Sequence, residues 1–310
     1  RERLVSDVPL GCFLSGGVDS TVVVAAARAE GACTETLTIA FAGGDDESRE
    51  ASATAARLGL PHRREECTAG EMLATVAAWP RLAADPFADP SLAPTWVVSR
   101  RARERWTVAL SGDGGDEVLG GYPRLRYMPR LEALLRLPRG LRRVGARALP
   151  ARRWAAKLEA ALAAPNAWSA YQALQGVWPA VEVGRLLGRE EPPLPWPEGL
   201  LTRLEDRPPW QRYRLLDLVT FLPERVLAKV DRASMSCSLE VRVPLLDHRL
   251  VEAMLRLPRR ACEGKAVLRQ VDSRLGAPDQ PRHKRGFEVP LAAWLRGPLR
   301  ESVGGEILGA

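Results

Sequence analysis

The stretch VPLGCFLSGGVDSTVVVAAARA, residues 8–29, decides the fold. Val8 to Leu14 is a short apolar run of the length of a buried strand. It passes through Ser15-Gly16-Gly17 into Ser20 to Ala29, small and apolar on most sides, as in a helix packed on a sheet. A strand, a Gly-rich turn and a helix in immediate succession form the opening unit of a parallel α/β sheet.

The same alternation continues outward. Thr36 to Phe41 (TLTIAF) reads as a second buried strand, and Glu47 to Leu58 as an amphipathic helix ending at Gly59. His62 to Cys67 fits a third strand, and Pro94 to Trp106 a helix with proline near its first turn. Thr107 to Leu110 is a further strand entering another Gly-rich turn. The expected fold is therefore α/β, a doubly wound parallel sheet with additional helical segments. Right-handed crossovers would bring the C-terminal strand ends, and both Gly-rich turns, to one edge. Residues 125–215 are rich in Arg, Leu, Ala and Trp, with Pro clusters at 192–197 and 208–209, and read as helices joined by Pro-rich connections. The helical style resumes from Tyr213 to Leu257, now with dense polar motifs embedded.

Chemistry concentrates in two places. In Ser15-Gly16-Gly17-Val18-Asp19-Ser20, two glycines let the backbone approach an anion, and two serines offer hydroxyls. The helix start adds N–H groups and partial positive charge. This is a pyrophosphate cradle, but neither the Walker loop nor the dinucleotide Gly-x-Gly-x-x-Gly. Asp19 beside a phosphate would repel it unless it holds a cation, which points to Mg²⁺. In Ser111-Gly112-Asp113-Gly114-Gly115-Asp116-Glu117, carboxylates crowd a Gly-rich turn directly after a strand. Asp116 is the natural second Mg²⁺ ligand, partnering Asp19 across the sheet edge, and Asp113 could face substrate or nucleotide.

Composition excludes other classes. The chain has 310 residues, 45 basic against 38 acidic side chains, net charge +7, 46% hydrophobic and 27% charged residues. That is an ordinary globular balance, not a disordered, collagen-like, coiled-coil or disulfide-scaffold one. No run approaches the about 18–20 apolar residues of a membrane helix. Five scattered cysteines (12, 33, 67, 237, 262) without a Cys-x-x-Cys pair suggest free thiols in a reducing compartment. No signal region is visible, so the cytoplasm is the expected location. Arg1 in place of Met suggests that an upstream part was removed. Only four basic residues are Lys (157, 229, 265, 284), the other 41 being Arg, and Asn166 is the sole Asn. A retained lysine in so Arg-rich a chain is informative, because a point charge on a flexible stem differs from a planar fork.

On these residues the chain resembles the synthetase domain of glutamine-dependent asparagine synthetases, within the PP-loop ATP pyrophosphatase group. The resemblance rests on SDVPLGCFLSGGVDS at 6–20, Phe41 with Asp46-Glu47, DPFADPSLAPTWVVSRRAR at 85–103 and ALSGDGGDEVLGGY at 109–122. It continues in LPERVLAKVDRASMSCSLEVRVPLLDHRLVE at 222–252 and HKRGFEVPLAAWLRGPLR at 283–300, and is loose over 125–215. SGGxDS alone is shared with tRNA-modifying, GMP- and NAD-synthesising relatives. SGDGGDE and KVDRASM…EVRVPLLDH are far more specific.

The resemblance implies one synthetase domain over 1–310 with an adenine nucleotide alpha hydrolase-like core. Within it, 1–124 would be the nucleotide-binding part, 125–215 a variable helical segment and 216–310 a helical part completing the active site. The resemblance also implies a glutaminase domain upstream, expected to be absent from these 310 residues. By position, Ser15, Gly16, Gly17, Asp19 and Ser20 would hold the pyrophosphate of ATP. Phe13 or Leu14, with Ile39, Ser111 and Gly112, would frame the adenosine, and Asp19 and Asp116 would hold Mg²⁺. Lys284 looks like the catalytic cation, and Asp113, Asp231 and Arg242 would serve substrate or network roles. The implied activity activates the side-chain carboxylate of aspartate as an acyl-adenylate and aminates it with ammonia. Lactam-forming, peptide-cyclising or sugar-acid-amidating chemistry on another acid is the alternative, and a tRNA modifier or a non-catalytic scaffold a more distant one. Against nucleic acid, the charge is diffuse and no basic stripe with interleaved aromatics occurs. Small molecules are the expected partners, a membrane is not, and a homodimer stays open.

Overall fold

Five parallel strands form one sheet in the order β3-β2-β1-β4-β5. In this computed structural model the described residues are 1–41, 47–82, 87, 89–147, 155–176, 178, 180–188, 194–275, 296–297 and 300. The strands are β1 (Leu10–Phe13), β2 (Thr36–Phe41), β3 (His62–Cys67), β4 (Val108–Leu110) and β5 (Glu240–Arg242). Helices α1 (Val18–Ala29), α2 (Glu47–Arg57), α3 (Ala69–Leu82), α4 (Leu92–Arg103) and α5 (Gly115–Leu119) lie between or after the first four strands. The expected α/β parallel architecture is thus present.

Why each strand sits where it does follows from its side chains. β2 lies between β3 and β1 and has five successive buried residues, Thr36 to Ala40. Leu37 and Ile39 join Val97, Val98 and Ala102 of α4, Trp106 and Leu239 in one apolar cluster. Thr36, Thr38 and Ala40, equally buried, point to the opposite face by the period-2 alternation, so the strand is covered on both sides. β3, at the sheet edge, carries His62, Arg63, Arg64, Glu65 and Glu66, which suit an unpaired edge and discourage further strand addition. Gly11 is required by close approach: a Cβ there would fall 2.1 Å from the Trp106 ring, which lies against β1.

Two parts of the chain differ from the sequence reading. The segment 213–257, expected to be helical throughout, contains β5, which pairs with β4 in parallel. It also contains a π-helical segment, Asp217–Leu227, ahead of α13 (Ala228–Met235). Periodicity did not reveal β5, because three residues are too few to establish a period of two. Helix α3 was missed because its Trp79-Pro80 end reads as a break. Among the described residues no helix is long and apolar enough to cross a membrane.

The chain divides into two units. The first comprises Arg1–Val118, Leu222–Leu257 and Lys265–Ala310 and contains the whole sheet. Its remaining described helices include α14 (His248–Arg256) and α16 (Ala266–Arg274). The second comprises Leu119–Phe221 and Pro258–Gly264. It is built from helices α6 (Pro123–Leu135), α7 (Arg139–Arg147), α8 (Ala155–Ala163), α9 (Ala167–Gln175), α10 (Ala180–Leu186), α11 (Glu198–Glu205) and α12 (Pro209–Leu216), with the short α15 (Arg259–Cys262). Here the sole asparagine has a local task. The Asn166 side chain accepts from the Ser169 N–H at 2.8 Å and caps α9.

Candidate active site

The strand order places the two Gly-rich turns side by side. Chain progress runs outward through β1, β2 and β3 on one side, then resumes on the other with β4 and β5. The reversal lies between β1 and β4, which pair Leu10↔Val108, Gly11↔Ala109 and Cys12↔Leu110. They therefore end abreast, and the turns at 14–17 and 111–114 leave from neighbouring strand ends. In open α/β sheets this switch point is where ligands bind.

The first turn is tied down by its own serines. The Ser15 N–H donates to Ser20 Oγ at 3.1 Å, and the Gly17 N–H donates to Ser15 Oγ at 3.1 Å. The two hydroxyls lie 2.9 Å apart, and Ser20 Oγ also reaches the Gly17 carbonyl at 3.2 Å. Gly17 is the N-cap of α1 and makes no side-chain cap. An α-helix leaves its first N–H groups without intrahelical acceptors, so this end carries partial positive charge.

The second turn is pressed directly onto that helix start. A Cβ at Gly112 would fall 2.6 Å from the Ser20 backbone nitrogen and 2.9 Å from the Asp19 carbonyl carbon. Those are backbone atoms that cannot step aside, so the requirement for glycine is close approach. Gly114 has φ +86°, a conformation that disfavours any side chain. Ser111 Oγ donates to the Asp113 carboxylate, closing the turn on itself.

Asp19 and Asp116, 97 positions apart in the chain, converge on one cation, and that cation is Lys265. Its ammonium nitrogen lies 2.7 Å from Asp116 Oδ1 and hydrogen-bonds Asp19 Oδ2. Lys265 is 8% exposed overall. Burial opposes its charge, but Asp116 and Asp19 outweigh that and hold its pKa above the ordinary lysine range. Lys265 is one of the four lysines marked out in so Arg-rich a sequence, but no role is assigned to it there. The signals available were its place among only four lysines and the Gly264-Lys265 pair ahead of a helix.

The other expected residues fall in different places. Phe13 is half-buried, with its ring tilted against Trp106 at 6.5 Å between centroids. Leu14 and Ile39 are core side chains, so what they can offer a ligand is backbone. Ser111 is buried at the foot of the second turn. Arg242 serves a structural network: it donates to the Arg3 and Val5 carbonyls at 3.0 and 2.7 Å and to Glu240 at 2.6 Å. Asp231 is exposed on α13. Lys284 and Asp46 lie outside the described residues.

The two carboxylates fit a hard divalent cation. Mg²⁺ is commonly held by one or two carboxylates plus substrate phosphates, and here two carboxylates already share a single point charge. Among the described residues no group of three or more His, Cys, Asp or Glu forms a self-sufficient metal cage. The rest of a cation's coordination shell there would come from water and from substrate oxygens.

Comparison with known proteins agrees with this architecture. The model of the asparagine synthase family matches residues 1–308. The chain is similar to asparagine synthetase (glutamine-hydrolyzing) 1 of Bacillus subtilis, at 28% identity over 96% of the chain and 49% of the relative. It is similar to a putative asparagine synthetase (glutamine-hydrolyzing) of Mycobacterium tuberculosis, at 31% identity over 97% of the chain and 48% of the relative. A shorter match, 37% identical over 147 residues, is to putative asparagine synthetase (glutamine-hydrolyzing) 2 of Methanocaldococcus jannaschii, covering 47% of the chain and 28% of the relative. The chain spans about half the length of the first two.

Proposed function

The chain belongs to the asparagine synthase family, and from that premise we propose that it is an ATP-dependent amide ligase that converts aspartate to asparagine. The observation that carries the reading is the pair of Gly-rich turns at the β1/β4 switch point, the second seated on the helix start of the first.

The chemistry asks for this arrangement. A carboxylate resists attack by ammonia until it has a good leaving group. The side-chain carboxylate oxygen of aspartate attacks the α-phosphorus of ATP, giving an acyl-adenylate and pyrophosphate. Ammonia then attacks the acyl carbon, AMP leaves with the electron pair of the broken C–O bond, and the nitrogen loses a proton. Residues 15–17 and the first turn of α1 bind the departing pyrophosphate, with Ser15 and Ser20 holding the loop in shape. Gly112 keeps the second turn close, so the nucleotide is gripped from both strand ends. Asp19 and Asp116 would hold Mg²⁺. When bound there, Mg²⁺ would neutralise charge that builds on the phosphates as the bond to pyrophosphate breaks. Phe13, Ile39, Ser111 and Gly112 frame the adenosine in this reading. Lys284 is assigned as the cation that stabilises the α-phosphate, and Asp113 and Asp231 serve substrate.

The names of the relatives specify glutamine hydrolysis, and those proteins are about twice as long. We therefore expect ammonia to come from a glutaminase part of the full-length protein, with this chain using free ammonia by itself. The test is ATP–pyrophosphate exchange across a panel of carboxylic acids. Exchange with aspartate, dependent on Mg²⁺, is the expected result. Exchange only with a sugar acid or a peptide acid would keep the adenylation and replace the substrate.

A further inference from the structure

We propose that Lys265 is the resident counter-ion of the Asp19–Asp116 pair and thereby makes the pair favour a divalent cation that arrives together with a nucleotide. This rests on the reading of that pair as the metal site, and adds the order in which its ligands bind.

Three observations carry it. The ammonium occupies the point on which the two carboxylates converge, hydrogen-bonded to Asp19 and 2.7 Å from Asp116. A divalent cation drawn to the same oxygens meets a like charge already there, and both cannot stay.

The ammonium is also delivered by a backbone arranged for it. Lys265 has φ +61° and ψ +37°, directly after Gly264 at φ +64°. Ser238 and Lys265 are the only non-glycine residues with positive φ among the described residues. A side-chain-bearing residue in this region persists where its surroundings over-determine it. The surroundings here are the two carboxylates that hold the ammonium and α16, for which Lys265 is the N-cap. Helix α16 starts at the next residue, packs on α1 and is pinned by Asp272 to Arg57 at 3.5 Å.

Charge supplies the third argument. With metal alone, the displaced ammonium would leave a buried pair without a replacement anion, and the cost of an uncompensated charge opposes entry. Incoming phosphates bring the missing negative charge, so metal and nucleotide favour each other. By linkage each raises the affinity of the other by the same factor.

The probe is Mn²⁺, with free ion followed by electron paramagnetic resonance, in the presence and absence of a non-hydrolysable ATP analogue. Wild-type protein should bind Mn²⁺ about tenfold more tightly with the analogue than without it. Lys265→Met should bind Mn²⁺ alone about tenfold more tightly than wild type, with the coupling to nucleotide largely abolished. Lys265→Arg should retain the exclusion. A folded Lys265→Met protein that binds Mn²⁺ no tighter than wild type would overturn the proposal. If Lys265→Met does not fold, trace acetylation of wild type read by mass spectrometry decides instead. Lys265 should stay as protected with Mn²⁺ alone as without it, and loss of protection under Mn²⁺ alone overturns the proposal. A wild-type protein that binds no metal–nucleotide at all would remove the ligase reading and the nucleotide coupling with it, while tighter Mn²⁺ binding by Lys265→Met would leave the counter-ion role standing.

Discussion

Each unit of the molecule encloses a basic side chain among carboxylates and polar groups, but the two clusters are built differently. In the helical unit, Arg124 donates to Asp217 at 2.8 Å and to the Tyr171 hydroxyl at 3.0 Å, while Gln175 takes the other Asp217 oxygen at 3.1 Å. The Arg124 guanidinium lies 3.9 Å from the Tyr122 ring centroid and 4.8 Å from that of Phe221. Tyr171 stacks on Tyr213 at 4.5 Å, and Tyr213 with Arg212 holds Glu132. Helix side chains and aromatic rings wall this network in. In the sheet-bearing unit, the Lys265 cluster stands on two Gly-rich turns, with Asp116 on the five-residue helix α5. Large, rigid neighbours favour permanence, whereas glycine turns leave backbone close to a ligand and room for exchange. The first cluster is walled in as a structural network, whereas the second is the one proposed above to exchange its cation.

The sharpest way to break this comparison is to remove one cation from each cluster. Arg124→Met leaves Asp217 buried without its charge partner and should lower stability by about 3–5 kcal/mol, read by denaturant unfolding. Divalent cations should not restore it. Lys265→Met should instead regain thermal stability when Mn²⁺ is added. Rescue of both variants, or of neither, would erase the distinction.

Next in size is Gly112→Ala. The added methyl must displace the second turn from the Ser20 backbone, and misplacement of about 1 Å commonly costs about 100-fold in rate. Pyrophosphate exchange should fall by that order while far-ultraviolet circular dichroism stays unchanged. Gly114→Ala introduces a Cβ at φ +86° and 2.4 Å from Leu246, for a stability loss of about 1–2 kcal/mol.

The smallest effect tests the scaffold. Asp89 accepts from the Ser91 N–H at 2.9 Å at the start of α4 and from Arg225 at 3.0 Å. Burial pushes its pKa up, but the Ser91 and Arg225 hydrogen bonds prevail and hold it below the usual carboxylate range. A depressed folded-state pKa contributes stability that is present above the unfolded value, about 3.9, and lost as pH falls through the folded one. Asp89→Asn should therefore cost about 1 kcal/mol near neutrality, with the gap to wild type closing below about pH 4 in thermal melts.

Much of this was legible in the residues. β2 and β3 have the boundaries expected from TLTIAF and from the His62–Cys67 run, and α2 ends one residue short of Leu58. Those elements are written in local apolar spacing and turn residues. The two Gly-rich motifs were equally plain, because glycine, serine and aspartate at a strand–helix junction have few other uses. β5 was not legible, since a three-residue strand is defined by its neighbour β4 rather than by its own pattern. For Arg242 a network role was among those expected, but its partners, the Arg3 and Val5 carbonyls, were not legible because they lie at the other end of the chain.

By itself, then, the sequence determined the alternating α/β scaffold, the two Gly-rich turns and the candidate pair Asp19 and Asp116 on them. All are properties of short windows, where local sterics and periodicity act. Only the tertiary structure decided that Lys265, 246 positions from Asp19, is the cation on which the two expected carboxylates meet. That contact depends on the order of strands in the sheet and on α16 packing on α1, and no local pattern encodes either.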